Sequence, residues 1–119
     1  MRRGDIYLYE NKNATDYIQA GERPVLIVQN NMGNEYSPTT IICPITSSAK
    51  KKLPTHCFIG KSGGLKYDSI VLCEQIRVIN KSDLKGYIGT VTNPSILKWL
   101  NRCLKNTLGI EEYNDEYYR

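Results

Sequence analysis

The sequence is poor in metal-binding side chains. It has a single histidine, and its four cysteines, Cys43, Cys57, Cys73 and Cys103, form no CxxC pair. Zinc sites normally need closely spaced cysteine and histidine ligands, so we expect no metal and no cofactor. Each cysteine stands among apolar neighbours, which is typical of small buried thiols in a reducing compartment.

Long apolar runs are missing as well. No stretch approaches the ~20 residues that a membrane-spanning helix requires, and MRRGDIYLYE at the start has no signal-peptide core after its arginines. We therefore expect a cytoplasmic protein with no membrane partner. The 119 residues suffice for one domain, which we place at residues 1–110. Residues 111–119 form an acidic tail whose lack of any period is compatible with a frayed end.

Charge is distributed unevenly along the chain. Residues 111–119 hold four acidic residues and one basic residue, so residues 1–110 carry a net charge of +7, against +4 for the whole chain. A basic chain with nine tyrosines is compatible with a nucleic-acid partner. A charge excess of this size is also common in other soluble proteins.

Residues 23–46 predict two strands joined by a loop. The segments RPVLIVQN and SPTTIICPIT are rich in β-branched side chains, and the loop NMGNEY between them contains glycine and asparagine. Proline cannot donate a hydrogen bond to a neighbouring strand. We therefore expect the second strand to bend or stop pairing near Pro44 and to direct Thr46 out of the sheet at a rim.

The other β segments complete a small barrel or sandwich. We predict strands in IYLYE, at residues 55–59 and at residues 87–91. The longest β-like run, residues 68–79, predicts one strand whose alternation presents Gln75 and Arg77 together on one face.

One helix is indicated near the C-terminus. Asn93 suits the N-cap, Pro94 suits the first helical position, leucines recur at helical spacing, and Gly109 ends the run. Trp99 and Cys103 widen the leucine stripe, which we expect to pack on the sheet.

Three polar segments could carry function. Residues 11–22 have no helical or strand period and form either a binding loop or a plain surface loop. The segment SSAKKKLP has three successive lysines, which usually indicate a solvated surface and less often a phosphate site. The glycine-rich GKSGGLK lacks the GxxxxGK[ST] spacing of a P-loop.

Five blocks in order resemble those of the MazF/PemK family of type II toxin–antitoxin endoribonucleases. They are RRGDIYLYE, QAGERPVLIVQN, SPTTIICPIT, KLPTH and DSIVLCEQIRVI, and the resemblance extends from Arg3 to about Leu108. It implies an SH3-like barrel of the CcdB/MazF type with a C-terminal helix, and a symmetric homodimer. It also implies metal-independent, sequence-specific cleavage of single-stranded mRNA, controlled by a cognate antitoxin whose disordered segment occupies the same groove.

The resemblance assigns roles residue by residue. Arg23 and Thr46 correspond to the catalytic pair. The residues that it assigns to RNA binding are Gln19, Leu53, Ser69, Gln75 and Arg77. Some members have a glutamate directly before the QAG or QGG sequence of the mobile loop, but Ile18 holds that place here, so a carboxylate base cannot be transferred. Glu22 is close in sequence but is not the same position.

The chemistry of RNA cleavage agrees with the catalytic pair in part. Attack by the 2′-hydroxyl requires a proton acceptor, a donor for the 5′-oxygen and donors that stabilise charge on the phosphoryl oxygens. The guanidinium of Arg23 can meet two phosphate oxygens, and Thr46 can add one hydroxyl donor. Neither is a good base at neutral pH. His56, at the start of a predicted strand, is better suited to a structural hydrogen bond than to catalysis.

Two other functions fit the same fold. The barrel is also found in toxins that bind gyrase, and a catalytically silent module would bind RNA or an antitoxin without cutting. Fold alone does not separate these classes. Arg23 and Thr46 together favour RNA cleavage.

Overall fold

Nine regular elements make up the described part of the chain. The computed structural model describes residues 1–11, 21–48 and 51–110. The elements are β1 (Asp5–Asn11), β2 (Gly21–Ile27), α1 (Asn31–Tyr36), β3 (Thr39–Thr46), β4 (His56–Gly60), β5 (Ser69–Leu72), β6 (Arg77–Asn80), β7 (Leu84–Thr90) and α2 (Pro94–Leu108). The prediction of a mainly β chain with a C-terminal helix is confirmed. No helix in these three ranges is long and apolar enough to cross a membrane.

Strand β3 lies at the centre of an antiparallel sheet. The strand order is β4-β5-β3-β2-β1-β7, and β6 also pairs with β3. Along β3 the partner changes, because residues 39–42 pair with β6, residues 42–44 with β2 and residues 45–46 with β5. The pairing with β2 ends at Pro44, but β3 continues to Thr46. The prediction that Thr46 projects out of the sheet is therefore wrong, since Ile45 and Thr46 pair with β5 on the other edge of β3.

The segment predicted as the loop of the β2–β3 hairpin contains the short helix α1. Asn30 caps it, because its side chain accepts a hydrogen bond of 2.8 Å from the Gly33 backbone N–H. Asn34 is buried, and its Oδ1 accepts a 2.7 Å hydrogen bond from the Thr40 hydroxyl. Asn30 and Gly33 therefore form the helix cap, and Asn34 makes a buried contact, so these residues do not form an open loop.

Residues 68–79 do not form one strand, so this prediction is also wrong. β5 ends at Leu72, a 3-10 turn occupies Cys73–Gln75, and β6 begins at Arg77. The Cys73 N–H donates to the Thr55 carbonyl over 3.1 Å, and the Ile76 N–H closes the turn on the Cys73 carbonyl over 3.2 Å. Because Cys73 turns into the core, the alternation that would place Gln75 and Arg77 on one strand face is interrupted.

The predicted limits of helix α2, Asn93 and Gly109, are confirmed. Asn93 accepts a 2.8 Å hydrogen bond from the Ser95 N–H, and Gly109 ends the helix in the left-handed conformation that glycine tolerates best. Leu100 and Cys103 are buried against the sheet. Trp99 differs from the prediction, because 45 % of it stays exposed.

The core contains all four cysteines as free, buried thiols, as predicted. The Cys57 thiol on β4 donates to the Ile96 carbonyl over 4.0 Å, and the Cys103 thiol on α2 donates to the His56 carbonyl over 3.5 Å. The neighbouring Cys103 thiol and burial raise the pKa of Cys57 and of Cys73. Two thiol contacts therefore join β4 to α2.

Candidate active site

The predicted catalytic pair lies just beyond one end of the β2–β3 pairing. Val25 lies opposite Pro44 and Leu26 opposite Cys43. Arg23 and Thr46 each lie two residues past the last pair, Val25 and Pro44, on their own strands. Arg23 is exposed and lies on β2 opposite Tyr9 of β1, whereas Thr46 lies on β3 opposite Ile70 of β5.

Thr46 is only 6 % exposed, and its hydroxyl organises the start of the next loop. Its Oγ1 accepts a 3.2 Å hydrogen bond from the Ser48 backbone N–H and lies 3.3 Å from the Ser48 hydroxyl. The contact from the N–H uses one lone pair of Oγ1 and leaves the hydroxyl proton available for donation. Thr46 can therefore cap the loop and donate to a substrate oxygen at the same time.

A second arginine stands on the same side of the sheet. Arg77 lies on β6 opposite Ile42 of β3, and its guanidinium carbon is 5.7 Å from the centre of the Tyr9 ring. This is a cation–π distance. Since Tyr9 lies opposite Arg23, the ring has one arginine stacked over it and another on the adjacent strand. Tyr9 is not among the site residues predicted from the sequence. Its pairing with Arg23 is the signal that places its ring beside the candidate site.

The face that carries Thr46 continues into an apolar groove. Thr46 lies opposite Ile70, which in turn lies opposite Phe58 of β4, and directly opposed residues share a face of the sheet. The groove has a volume of about 620 Å³. Its lining consists of Lys52, Leu53, Pro54, His56, Phe58, Ile70 and Trp99. Of the predicted RNA-binding residues, Leu53 therefore lines this groove.

Gln75 occupies the 3-10 turn and is half-buried. Its Oε1 is buried and has no hydrogen-bond partner in the described parts of the chain. Buried acceptors are nearly always paired in folded proteins, so Gln75 is an exception among the described residues.

The remaining predicted contacts are placed differently. Ser69 is buried, and its hydroxyl donates a 2.8 Å hydrogen bond to the Tyr67 carbonyl in the turn before β5. Gln19 lies outside the described residues, as does most of the predicted loop at residues 11–22. Asn11 closes β1, and Gly21 and Glu22 open β2, so the ends of that segment are strands.

The described residues offer no group of three or more histidine, cysteine, aspartate or glutamate side chains arranged to hold a metal ion. Over residues 2–108, the sequence matches the family described as PemK-like, MazF-like toxin of type II toxin-antitoxin system. The chain belongs to the PemK/MazF toxin family.

Relatives of this PemK/MazF chain are similar over nearly their whole length. A protein named Endoribonuclease MazF from Staphylococcus saprophyticus is 43 % identical over 112 residues, which is 92 % of each chain. A second protein of that name, from Staphylococcus epidermidis, is 38 % identical over 116 residues, or 96 % of each chain.

A solved structure supports the same fold. It is described as an endoribonuclease in complex with its cognate antitoxin from a mycobacterial species, and it is 26 % identical to this chain. The match has a TM-score of 0.80 and covers 95 % of this chain and 99 % of the other. The predicted MazF-type barrel is thereby confirmed for this PemK/MazF toxin.

Proposed function

We propose that this PemK/MazF toxin is a sequence-specific, metal-independent endoribonuclease that cleaves single-stranded RNA by attack of the 2′-hydroxyl. The observation that supports the proposal is that the β2–β3 pairing ends at Val25 and Pro44, two residues before Arg23 on β2 and Thr46 on β3. The names of its relatives from two Staphylococcus species agree with RNA cleavage.

In the proposed mechanism, the pair stabilises the transition state. Arg23 supplies a fixed positive charge and two parallel donors for the phosphoryl oxygens, and Thr46 adds a hydroxyl donor held by its own contact with Ser48. The pair thus meets charge that develops as the 2′-oxygen attacks phosphorus and the 5′-oxygen leaves. Deprotonation of the 2′-hydroxyl belongs to a group outside this pair, because neither side chain is a good base at neutral pH.

The same face suits binding of an RNA strand. Arg77 adds a second cation beside Tyr9, Gln75 offers a buried acceptor without a partner, and Leu53 adds an apolar contact at the groove. Single-stranded RNA is normally bound by such mixtures of cations, aromatic rings and polar edges. The net charge of +7 over residues 1–110 attracts a polyanion to the whole body.

Two protein partners belong to the proposal. One is a cognate antitoxin, and the mycobacterial relative was solved together with one. The other is a second copy of this chain in a closed two-fold dimer, which would lay two basic faces side by side for one RNA strand. We also propose a cytoplasmic location, since four free thiols in the core are typical of a reducing compartment.

The dimer can be tested by light scattering. Wild-type protein at micromolar concentration should have twice the 13.6 kDa mass of one chain. A wild-type monomer that still cuts RNA would contradict the homodimer.

Cleavage itself is tested with purified protein and a long single-stranded RNA in excess EDTA. We expect discrete cuts that leave a 2′,3′-cyclic phosphate or 3′-phosphate and a 5′-hydroxyl, and no cutting of the same RNA as a duplex. Arg23→Ala should abolish the cuts, whereas Arg102→Ala, which removes the same charge from an exposed position on α2, should not. Cleavage that stops in EDTA and returns with Mg²⁺ would refute metal independence. RNA binding without cuts would favour the silent module, and inhibition of gyrase without RNA binding would favour the gyrase-binding alternative.

A further inference from the structure

The only histidine of the chain is held at both ring nitrogens. His56 opens β4, and its Nδ1 lies 2.9 Å from the Lys51 carbonyl while its Nε2 lies 3.1 Å from Oε2 of Glu74. Neither of those oxygens can donate, so the ring satisfies both contacts when both of its nitrogens carry protons. The side chain is only 9 % exposed, which leaves its ring atoms little freedom to serve a proton transfer.

Glu74 fixes one side of this contact. Its other oxygen, Oε1, accepts a 3.0 Å hydrogen bond from the Thr55 hydroxyl, so both carboxylate oxygens are used by two successive residues at the start of β4. The Thr55 carbonyl in turn accepts from the Cys73 N–H over 3.1 Å. The 3-10 turn that carries Gln75 is therefore fastened to β4 by side-chain and backbone bonds together.

The loop after β3 is fastened from the other side. The ring of His56 holds the Lys51 carbonyl, and the His56 backbone N–H donates to the Leu53 carbonyl over 2.9 Å. Two carbonyls within three residues are thus held by one histidine. This loop starts beyond Thr46 and ends beside the groove that Leu53 and His56 line together.

We propose that His56 and Glu74 are positioning residues for RNA binding, which together hold the Lys51–Leu53 segment against the turn of Gln75. The inference rests on the proposed function, because it concerns the two segments that carry the proposed RNA contacts Leu53 and Gln75. His56 takes no part in proton transfer. His56 fixes the Lys51–Leu53 segment relative to the turn of Gln75. A single RNA strand can then contact both segments without first having to order them.

The size of the effect follows from the population of the ordered loop. When a binding-competent conformation is populated only one-tenth of the time, apparent affinity falls by about tenfold. His56→Ala and Glu74→Ala should each raise KM for a fixed single-stranded RNA by about that factor, with kcat changed less than about twofold. Because the two side chains share one hydrogen bond, the loss in the double variant should be smaller than the two single losses combined.

Two further variants separate positioning from charge and from general stability. Glu74→Gln keeps a carbonyl oxygen that can accept from the histidine, so it should restore KM to within about threefold of wild type. Glu35→Ala removes an exposed carboxylate from α1 and should leave KM unchanged. Trypsin provides a readout independent of activity, because release of the segment should speed cleavage after Lys51 or Lys52 in Glu74→Ala but not in Glu35→Ala.

Three results would each overturn the inference. They are an unchanged KM in both single alanine variants, additive effects in the double variant, and a loss of kcat at constant KM. If His56→Ala does not fold, the Glu74 variants carry the test, since Glu74 is exposed. If wild-type protein cuts no RNA, the proposed function fails on its own. The trypsin comparison then still decides the contact: equal cleavage rates in the two alanine variants overturn it, and faster cleavage in Glu74→Ala supports it.

Discussion

The replacement Thr46→Val separates two roles of one hydroxyl. Valine has nearly the shape of threonine, so the buried site of Thr46 stays filled and the Ile70 pairing is retained. Only Oγ1 is lost. That atom accepts from the Ser48 N–H over 3.2 Å and, in the proposed mechanism, donates to the substrate.

The two losses differ in size. Leaving the Ser48 N–H without its acceptor should lower the free energy of unfolding by about 1 kcal/mol. For a body of this size, that corresponds to a fall in Tm of about 3 to 6 °C. Loss of one preorganised donor to a developing oxyanion reduces kcat by about 10² to 10³, or ~3 to 4 kcal/mol. The effect on RNA affinity should be small, because Arg23, Arg77 and the groove remain.

The assay is single-turnover cleavage of a fixed RNA with excess protein, run beside a thermal melt for each variant. Thr46→Ser is the matched control, since it keeps the hydroxyl and loses a methyl group, and it should cut at a rate near wild type. A Thr46→Val protein that melts a few degrees lower but cuts within about threefold of wild type would show that the hydroxyl only caps the loop. Equal defects in the serine and valine variants would assign the effect to packing.

Arg23→Lys should recover little of the activity lost in Arg23→Ala, because an ammonium group cannot form two parallel bonds to phosphate; single-turnover rates check this, and a near wild-type lysine variant would contradict it. Arg77→Ala should weaken RNA binding and lower the slope of log K against log salt by about 0.7, as expected for one lost phosphate contact, measured by fluorescence anisotropy. An unchanged slope would confine Arg77 to its stacking on Tyr9. Leu100→Ala, at a residue 1 % exposed, should cost ~2 to 5 kcal/mol in urea unfolding, whereas Leu108→Ala, at an exposed residue, should cost less than ~0.5 kcal/mol.

The features that the sequence predicted correctly depend on local signals. Helix α2 has its cap, its proline and its terminal glycine within the segment itself, so Asn93 and Gly109 were correctly identified. The strands at β1 and β4 likewise follow from short runs of β-forming residues. Such signals act over a few residues and need no information about distant partners.

The failures occur where a distant contact decides the local structure. Residues 68–79 have strand-forming composition throughout, yet the chain turns at Cys73, where the side chain is buried in the core and the N–H donates to the Thr55 carbonyl. Trp99 fits the helical stripe, but 45 % of it is exposed and it borders the groove. The His56–Glu74 contact joins residues 18 apart and has no signature in either segment.

The candidate site shows why patterning alone could not propose the pair that the family resemblance assigns. Arg23 and Thr46 are 23 positions apart in the sequence, and each lies two residues beyond the end of the β2–β3 pairing at Val25 and Pro44. Each member of the proposed pair is therefore positioned by another strand: Arg23 by Tyr9 of β1 and Thr46 by Ile70 of β5. Two donors fixed to independent strands can meet one phosphate from opposite sides without first reorganising, which is the property that electrostatic stabilisation of a transition state requires.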